Sequence, residues 1–120
     1  MSKKLTEGVI ELKPIFYNRP KSFYHKAYVI KHGDDVYLKS YSTIVCGIVN
    51  GKFERYWEGE TRTTLNHVDS FVRLYSISYP DIPSRMGVAE WRKYDVIKLD
   101  NDIQVYLYSK ITPKYKATYY

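Results

Sequence analysis

Asn50-Gly51, set between the β-rich runs Thr43–Val49 and Lys52–Trp57, constrains the fold of this chain more than any other pair of residues. Both residues tolerate positive φ, and a two-residue type I′ turn built from them matches the twist of the strands it joins. Counting outward pairs Ile48 with Phe53, Cys46 with Arg55 and Ile44 with Trp57 on one mostly apolar face, while Val49, Gly47 and Val45 oppose Lys52, Glu54 and Tyr56. Ile44, Ile48, Phe53 and Trp57 are therefore expected in the core.

A second hairpin is expected from Lys26–Lys31 and Val36–Tyr41, which flank the loop His32, Gly33, Asp34, Asp35. Pairing Lys31 with Val36 puts Ala27, Val29 and Leu38 on one face and Tyr28, Ile30, Tyr37, Lys39 and Tyr41 on the other. Upstream, Val9–Phe16 alternates Ile10, Leu12 and Phe16 against Glu11, Lys13 and Ile15, a strand that Pro14 confines to an edge or a bulge. From Thr63 the period changes: Leu65, Val68, Phe71 or Val72, and Tyr75 form the apolar stripe of a helix over about 63–77, with Thr61 or Thr63 as its cap. Tyr79-Pro80 and Ile82-Pro83 break the chain, and a short helix is expected near 86–93. Val96–Leu99 and Ile103–Tyr108, on either side of Asp100-Asn101-Asp102, predict a third hairpin around 100–102. Residues 110–120, with Pro113, have no clear period and are expected to trail as an arm. The fold class is α+β, one antiparallel meander under one main helix. The 120 residues are read as a single domain with basic end segments 1–7 and 110–120.

No apolar run approaches the roughly 20 residues of a membrane helix, and mean hydropathy is -0.47. Met1–Glu7 lacks the apolar stretch of a secretory signal, so a bacterial cytoplasmic location is expected, without membrane contact. The single cysteine, Cys46, lies in an apolar run and reads as a buried, inert thiol. The 19 Lys+Arg exceed the 13 Asp+Glu, and the excess is terminal: Lys3, Lys4, Lys110, Lys114 and Lys116 supply long-range attraction for a polyanion. Fourteen tyrosines add flat rings with polar tips, a composition suited to binding.

Candidate chemistry is weaker. Arg62, Thr63, Thr64 and His67 gather where the main helix begins and could meet an anion. The favoured reading is that the threonines cap the helix and His67 packs or hydrogen-bonds against its first turn. His25, His32 and His67 with Asp34, Asp35 or Asp69 could be imagined as a metal or nuclease centre, but their spacing does not converge, and no metal or other cofactor is expected. Tyr24, Tyr28, Tyr37 and Tyr41 with Lys26 and Lys39 could instead make a sheet face of rings and cations for single-stranded nucleic acid, or pack beneath the helix.

Lys21, Ser22, Phe23, Tyr24, His25, Lys26 and Ala27, then Ser40, Tyr41, Ser42 and Thr43, then Gly51, Lys52 and Trp57, and finally Thr63, Thr64, His67 and Phe71 resemble a family of small single-domain proteins of bacteriophages and plasmids. The likeness covers about residues 21–75. It departs at Glu58, Gly59, Glu60 and Thr61, which separate the tryptophan from the threonine pair, and at Asn66, where a basic residue is expected. The resemblance implies no activity. It implies an accessory protein that binds and redirects a host component, such as an inhibitor of restriction or CRISPR nucleases.

The resulting expectation is a non-enzymatic binding protein whose partner is a host or defence protein complex, such as a nuclease ribonucleoprotein. Lys21, Tyr24, Lys39, Tyr41, Arg55 and Arg62 are its expected contacts. The alternatives are a direct DNA- or RNA-binding module using the tyrosine-rich sheet face and, third, a small basic hydrolase or toxin.

Overall fold

The computed structural model describes residues 9–12 and 26–118, with side chains to residue 110. Five strands, β1 (Val9–Glu11), β2 (Ala27–His32), β3 (Asp35–Ser40), β4 (Thr43–Val49) and β5 (Lys52–Arg55), precede three helices, α1 (Arg62–Tyr75), α2 (Val88–Trp91) and α3 (Asn101–Thr118). The strands form one antiparallel meander in chain order. It is an α+β fold. Asn50 and Gly51 both take positive φ, 55° and 78°, and the register beyond them pairs Ile48 with Phe53 and Cys46 with Arg55, as their turn chemistry predicts. The β2–β3 register also follows the sequence: Lys31 faces Val36 and Val29 faces Leu38. Its turn is tighter than expected, because His32 and Asp35 still pair and Gly33 takes the left-handed position.

One irregularity changes which residues share a core. Between β3 and β4 the register shifts so that Leu38 faces Cys46 but Lys39 faces Ile44, leaving Val45 as an extra residue. Such a bulge reverses the side-chain alternation beyond it. Val45, Cys46 and Ile48 consequently face α1, while Ile44 joins the opposite face. The expected partnership of Ile44 with Trp57 is thereby corrected: β5 ends at Arg55 and Trp57 packs, half-buried, against the α1 side.

The sheet is covered on both faces. On one, Leu12, Ala27, Val29, Val36, Leu38, Val45, Cys46, Ile48 and Phe53 meet Leu65, Val68, Phe71 and Val72 of α1 and Trp91 of α2. The helical period places these α1 residues on one stripe, and Thr61 starts the helix by accepting a hydrogen bond from the Thr64 N–H at 3.4 Å. On the other face Val9, Tyr28, Ile30, Tyr37 and Ile44 pack beneath Leu107 of α3.

The expected hairpin around 100–102, and the expected arm at 110–120, are replaced by α3. Asp100 caps it, its carboxylate accepting from the N–H groups of Asp102 at 3.1 Å and Ile103 at 3.3 Å. Asp and Asn serve turns and helix caps by the same local hydrogen bonds, so this triplet has two readings, and the burial of Leu107 favours the helical one. Of the expected first of these strands, only Val96 makes a bridge, parallel to Arg55. Among the described residues, no helix is long and apolar enough to cross a membrane.

Candidate functional site

β3 and β4 are joined by Tyr41-Ser42, a two-residue connection with no glycine or asparagine. Tyr41 takes φ 55°, a left-handed conformation that costs a residue with a Cβ roughly 1–2 kcal/mol. The surroundings hold it there: its N–H donates to the Lys26 carbonyl at 2.7 Å, and the Lys39 ammonium donates to its carbonyl. Tyr41 as a whole is 46% exposed; its ring tilts against the His67 imidazole at 5.7 Å and carries the Lys26 ammonium 5.6 Å from its centre.

Beneath the ring, on the α1 side of the sheet, lies a buried polar cluster. Ser40 Oγ is 2.8 Å from His67 Nδ1 and 3.0 Å from Thr64 Oγ1. All three residues are buried, His67 at 1% exposure. Burial, and next the charge of Lys26, lower the His67 pKa from 6.5 to about 4, so the ring is neutral at neutral pH. A neutral imidazole bonded through Nδ1 to a hydroxyl ties the end of β3 to the first turns of α1. His67 is thus built into the fold, but its bond runs to Ser40 of β3 and not to the first turn of α1, and of the threonines at the helix start Thr61 is the cap.

The expected site residues separate into four groups, Arg55 forming one by itself. Lys39 and Tyr41 come together, with Arg62 opening α1 two residues before Thr64 at the same end of the sheet and exposed. Lys39 is itself 8% exposed, its pKa lowered by burial, so it braces Tyr41 more than it faces solvent. Lys21 and Tyr24, and with them Lys3 and Lys4, lie outside the described residues. Lys110 sits on α3 with its ammonium 4.9 Å from the Tyr106 ring centre; Lys114 and Lys116 follow on the same helix.

Arg55 departs from its expected role as a surface contact. It is 6% exposed, and its guanidinium donates to the carbonyls of Trp57 (2.9 Å), Glu58 (2.9 Å), Trp91 (3.1 Å) and Tyr94 (3.2 Å) while lying 4.6 Å from the Trp91 ring centre. Its fork fastens the strand that follows β5 to α2 and the turn beyond it. The signal was present in the sequence: the hairpin register puts Arg55 opposite Cys46, on the apolar face, where a cation must find carbonyls or a carboxylate.

Of the two readings of the sheet tyrosines, packing beneath a helix is the one that describes Tyr28 and Tyr37, the helix being α3. Tyr28 and Tyr37 do share a face, but at 9% and 3% exposure they are covered by α3, whereas Tyr41 turns toward α1. His32 meets Tyr106 edge-on at 4.7 Å, on the α3 side and away from His67. Asp35 accepts from the Asn50 N–H at 3.1 Å, and Asp69 accepts from the Met86 N–H at 2.8 Å and from Arg73 at 2.9 Å. His25 lies outside the described residues, and the described members of the imagined His/Asp set are dispersed. Among the described residues, no group of three His, Cys, Asp or Glu could hold a metal ion. Cys46 is fully buried, and burial pushes its thiol pKa well up.

The arrangement offers a fixed ring beside an ammonium, at the end of the sheet where a helix without first-turn acids begins. That combination suits an anionic or π-rich group on a partner. Sequence reasoning missed Ser40 and Thr64 as its supports, since neither hydroxyl has a distinctive spacing along the chain.

No curated protein and no solved structure matches the chain significantly. Residues 10–79, running from β1 to the turn after α1 and so containing the Tyr41 surface entire, match the model described as Family of unknown function (DUF8033), and the chain belongs to that family.

Proposed function

We propose that this chain is a non-enzymatic accessory protein of a mobile genetic element, attaching in the bacterial cytoplasm to a host or defence complex that handles nucleic acid and inhibiting it. The observation that carries the proposal is Tyr41, held in a costly backbone conformation with its ring outward and two lysines bracing it. Strain that the surroundings maintain at an exposed aromatic residue points to a contact made there. The groups best suited to hydrolysis add support from the other direction: Ser40 and His67 are 2% and 1% exposed and bonded to each other, a poor position from which to attack a substrate. Tyr41, Lys26 and Arg62 form the contact surface, and the remaining lysines speed encounter.

Direct nucleic-acid binding is the second reading, favoured by the same Lys26–Tyr41 pair, which could hold a phosphate and stack a base. The test is capture from nuclease-treated bacterial lysate with the wild-type chain and a Tyr41→Ala/Arg62→Ala variant. A protein complex retained by wild type, lost by the variant, and slowed in its nuclease activity by the purified chain supports the proposal. Loss of every partner on nuclease treatment, with binding to oligonucleotides that falls steeply with salt, supports the second reading instead. Multiple-turnover conversion of a substrate by the pure chain overturns both.

A further inference from the structure

Asn50-Gly51 shapes the β4–β5 hairpin and also sets a reactive pair of groups at the surface, apart from Tyr41. Asn50 is exposed and Gly51 half-buried, on a two-residue connection flanked by the paired Val49 and Lys52. An asparagine's side-chain amide carbon lies within reach of the next residue's main-chain nitrogen, and attack by that nitrogen closes a five-membered ring. Crowding by the following side chain, or a backbone amide held in a helix or ladder, ordinarily prevents it. Neither applies at this pair. Residue 51 has no side chain, and among the described residues nothing stands within 4 Å of where its Cβ would be. In a two-residue turn the closing hydrogen bond joins the residues on either side, so the Gly51 N–H takes no part in the ladder.

Other asparagines are better guarded. Asn66 lies inside α1 and is followed by His67, whose main-chain N–H belongs to the helical ladder. Asn101 is followed by Asp102, whose N–H donates to the Asp100 carboxylate at 3.1 Å. The folded β4–β5 turn slows the reaction at Asn50 without blocking it. With φ of 55° and 78° the pair lies in the type I′ region, where the first residue has ψ of about 30°. Ring closure needs ψ rotated until the Gly51 nitrogen eclipses Cβ, so the turn must first open locally.

We propose that Asn50 is a site of spontaneous intramolecular deamidation, and that the reaction weakens the hairpin on which the sheet register depends. The Gly51 nitrogen attacks the Asn50 side-chain carbonyl carbon, the bond from that carbon to the amide nitrogen breaks, and ammonia leaves with the proton given up by Gly51. Water then opens the succinimide. One water is consumed and one ammonia released, with no change of oxidation state. Opening at the side-chain carbonyl gives aspartate; opening at the main-chain carbonyl gives isoaspartate, whose main chain runs through Cβ and is one methylene longer. The longer link cannot keep the type I′ geometry, so pairing of Ile48 with Phe53 and of Cys46 with Arg55 is loosened. In either product a new carboxylate stands beside Asp35, which accepts from the Asn50 N–H at 3.1 Å, and like charge opposes that link between the two turns.

The test incubates the wild-type chain in mildly alkaline buffer at physiological temperature, beside the same chain unfolded in guanidinium chloride, with digestion and mass spectrometry at intervals. In the folded chain Asn50 is expected to convert at least about tenfold faster than Asn66 or Asn101, because helical amides must open first. In the unfolded chain it is expected to convert faster still. Aspartate and isoaspartate should both appear, since a cyclic intermediate yields the two. Asn50 left intact in the folded chain overturns the proposal, as does equal conversion at Asn66 or Asn101, or aspartate formed alone. The consequence is read from the separated isoaspartyl chain, whose urea midpoint is expected to lie below that of untreated chain; an unchanged midpoint overturns the claim that the hairpin is weakened.

Discussion

Arg55→Met separates a structural arginine from a binding one. The substitution keeps the aliphatic stem and removes the fork that now donates to four carbonyls, those of Trp57, Glu58, Trp91 and Tyr94. A hydrogen bond from a charged donor contributes about 1.5–3 kcal/mol, so four would sum to roughly 6–12 kcal/mol before any offset. Two offsets are large. Removing the guanidinium also removes the cost of burying its charge, several kcal/mol after relaxation, and the carbonyls nearest the surface can turn to water. The Trp91 carbonyl, on a fully buried residue, is the hardest to satisfy. The expected net loss is about 3–5 kcal/mol, a lowering of Tm on the order of 10 °C or more for a domain of this size. Urea titration followed by tryptophan fluorescence measures it directly, because both tryptophans, Trp57 and Trp91, give their carbonyls to Arg55. Arg55→Lys should recover only part of the loss, since an ammonium cannot reproduce the fork. A loss below about 1 kcal/mol for Arg55→Met would refute the reasoning and return Arg55 to the surface role expected from sequence.

Other outcomes follow from the same geometry. Because His67 takes up a proton near pH 6.5 when unfolded but only near pH 4 when folded, stability should be full above pH 6.5 and fall progressively toward pH 4, by up to about 3 kcal/mol; chemical denaturation at stepped pH should show the loss, and His67→Gln should flatten this part of the profile. At Gly47 a Cβ would lie 2.7 Å from Tyr37 Cδ1, 3.0 Å from the Val36 carbonyl oxygen and 3.1 Å from the Tyr56 hydroxyl, so Gly47→Ala should cost about 1–3 kcal/mol in the same assay. Tyr41→Asn, by contrast, relieves the left-handed strain and should leave stability unchanged or raise it by up to about 1 kcal/mol.

What could be read from sequence divides along physical lines. The β2–β3 and β4–β5 registers were legible because Gly33 and Asn50-Gly51 mark their turns and apolar alternation fixes which face turns inward. α1 was legible because Leu65, Val68, Phe71 and Val72 keep one helical stripe over a buried length. The Tyr41 turn was not, since tyrosine carries no turn signal and its conformation depends on the Lys26 carbonyl, just ahead of β2, as well as on Lys39 two residues back on β3. The bulge at Val45 was hidden for a similar reason: Ile44, Val45 and Cys46 are all apolar, and a shift within such a run leaves the pattern plausible either way. α3 was misread because its Asp100-Asn101-Asp102 start doubles as a turn and Val105, Tyr106 and Tyr108 favour strands; packing of Leu107 on the sheet overrides that local preference. As for the candidate site, its ring and cations were named in advance, but their supports Ser40 and Thr64 required the fold.

The most direct test of a function carried by surface rather than by reaction is partner affinity measured side by side with stability for Tyr41→Asn. Affinity is expected to fall at least about tenfold with the denaturation midpoint held or raised. Undiminished affinity in a stably folded Tyr41→Asn chain would contradict a function carried by this surface.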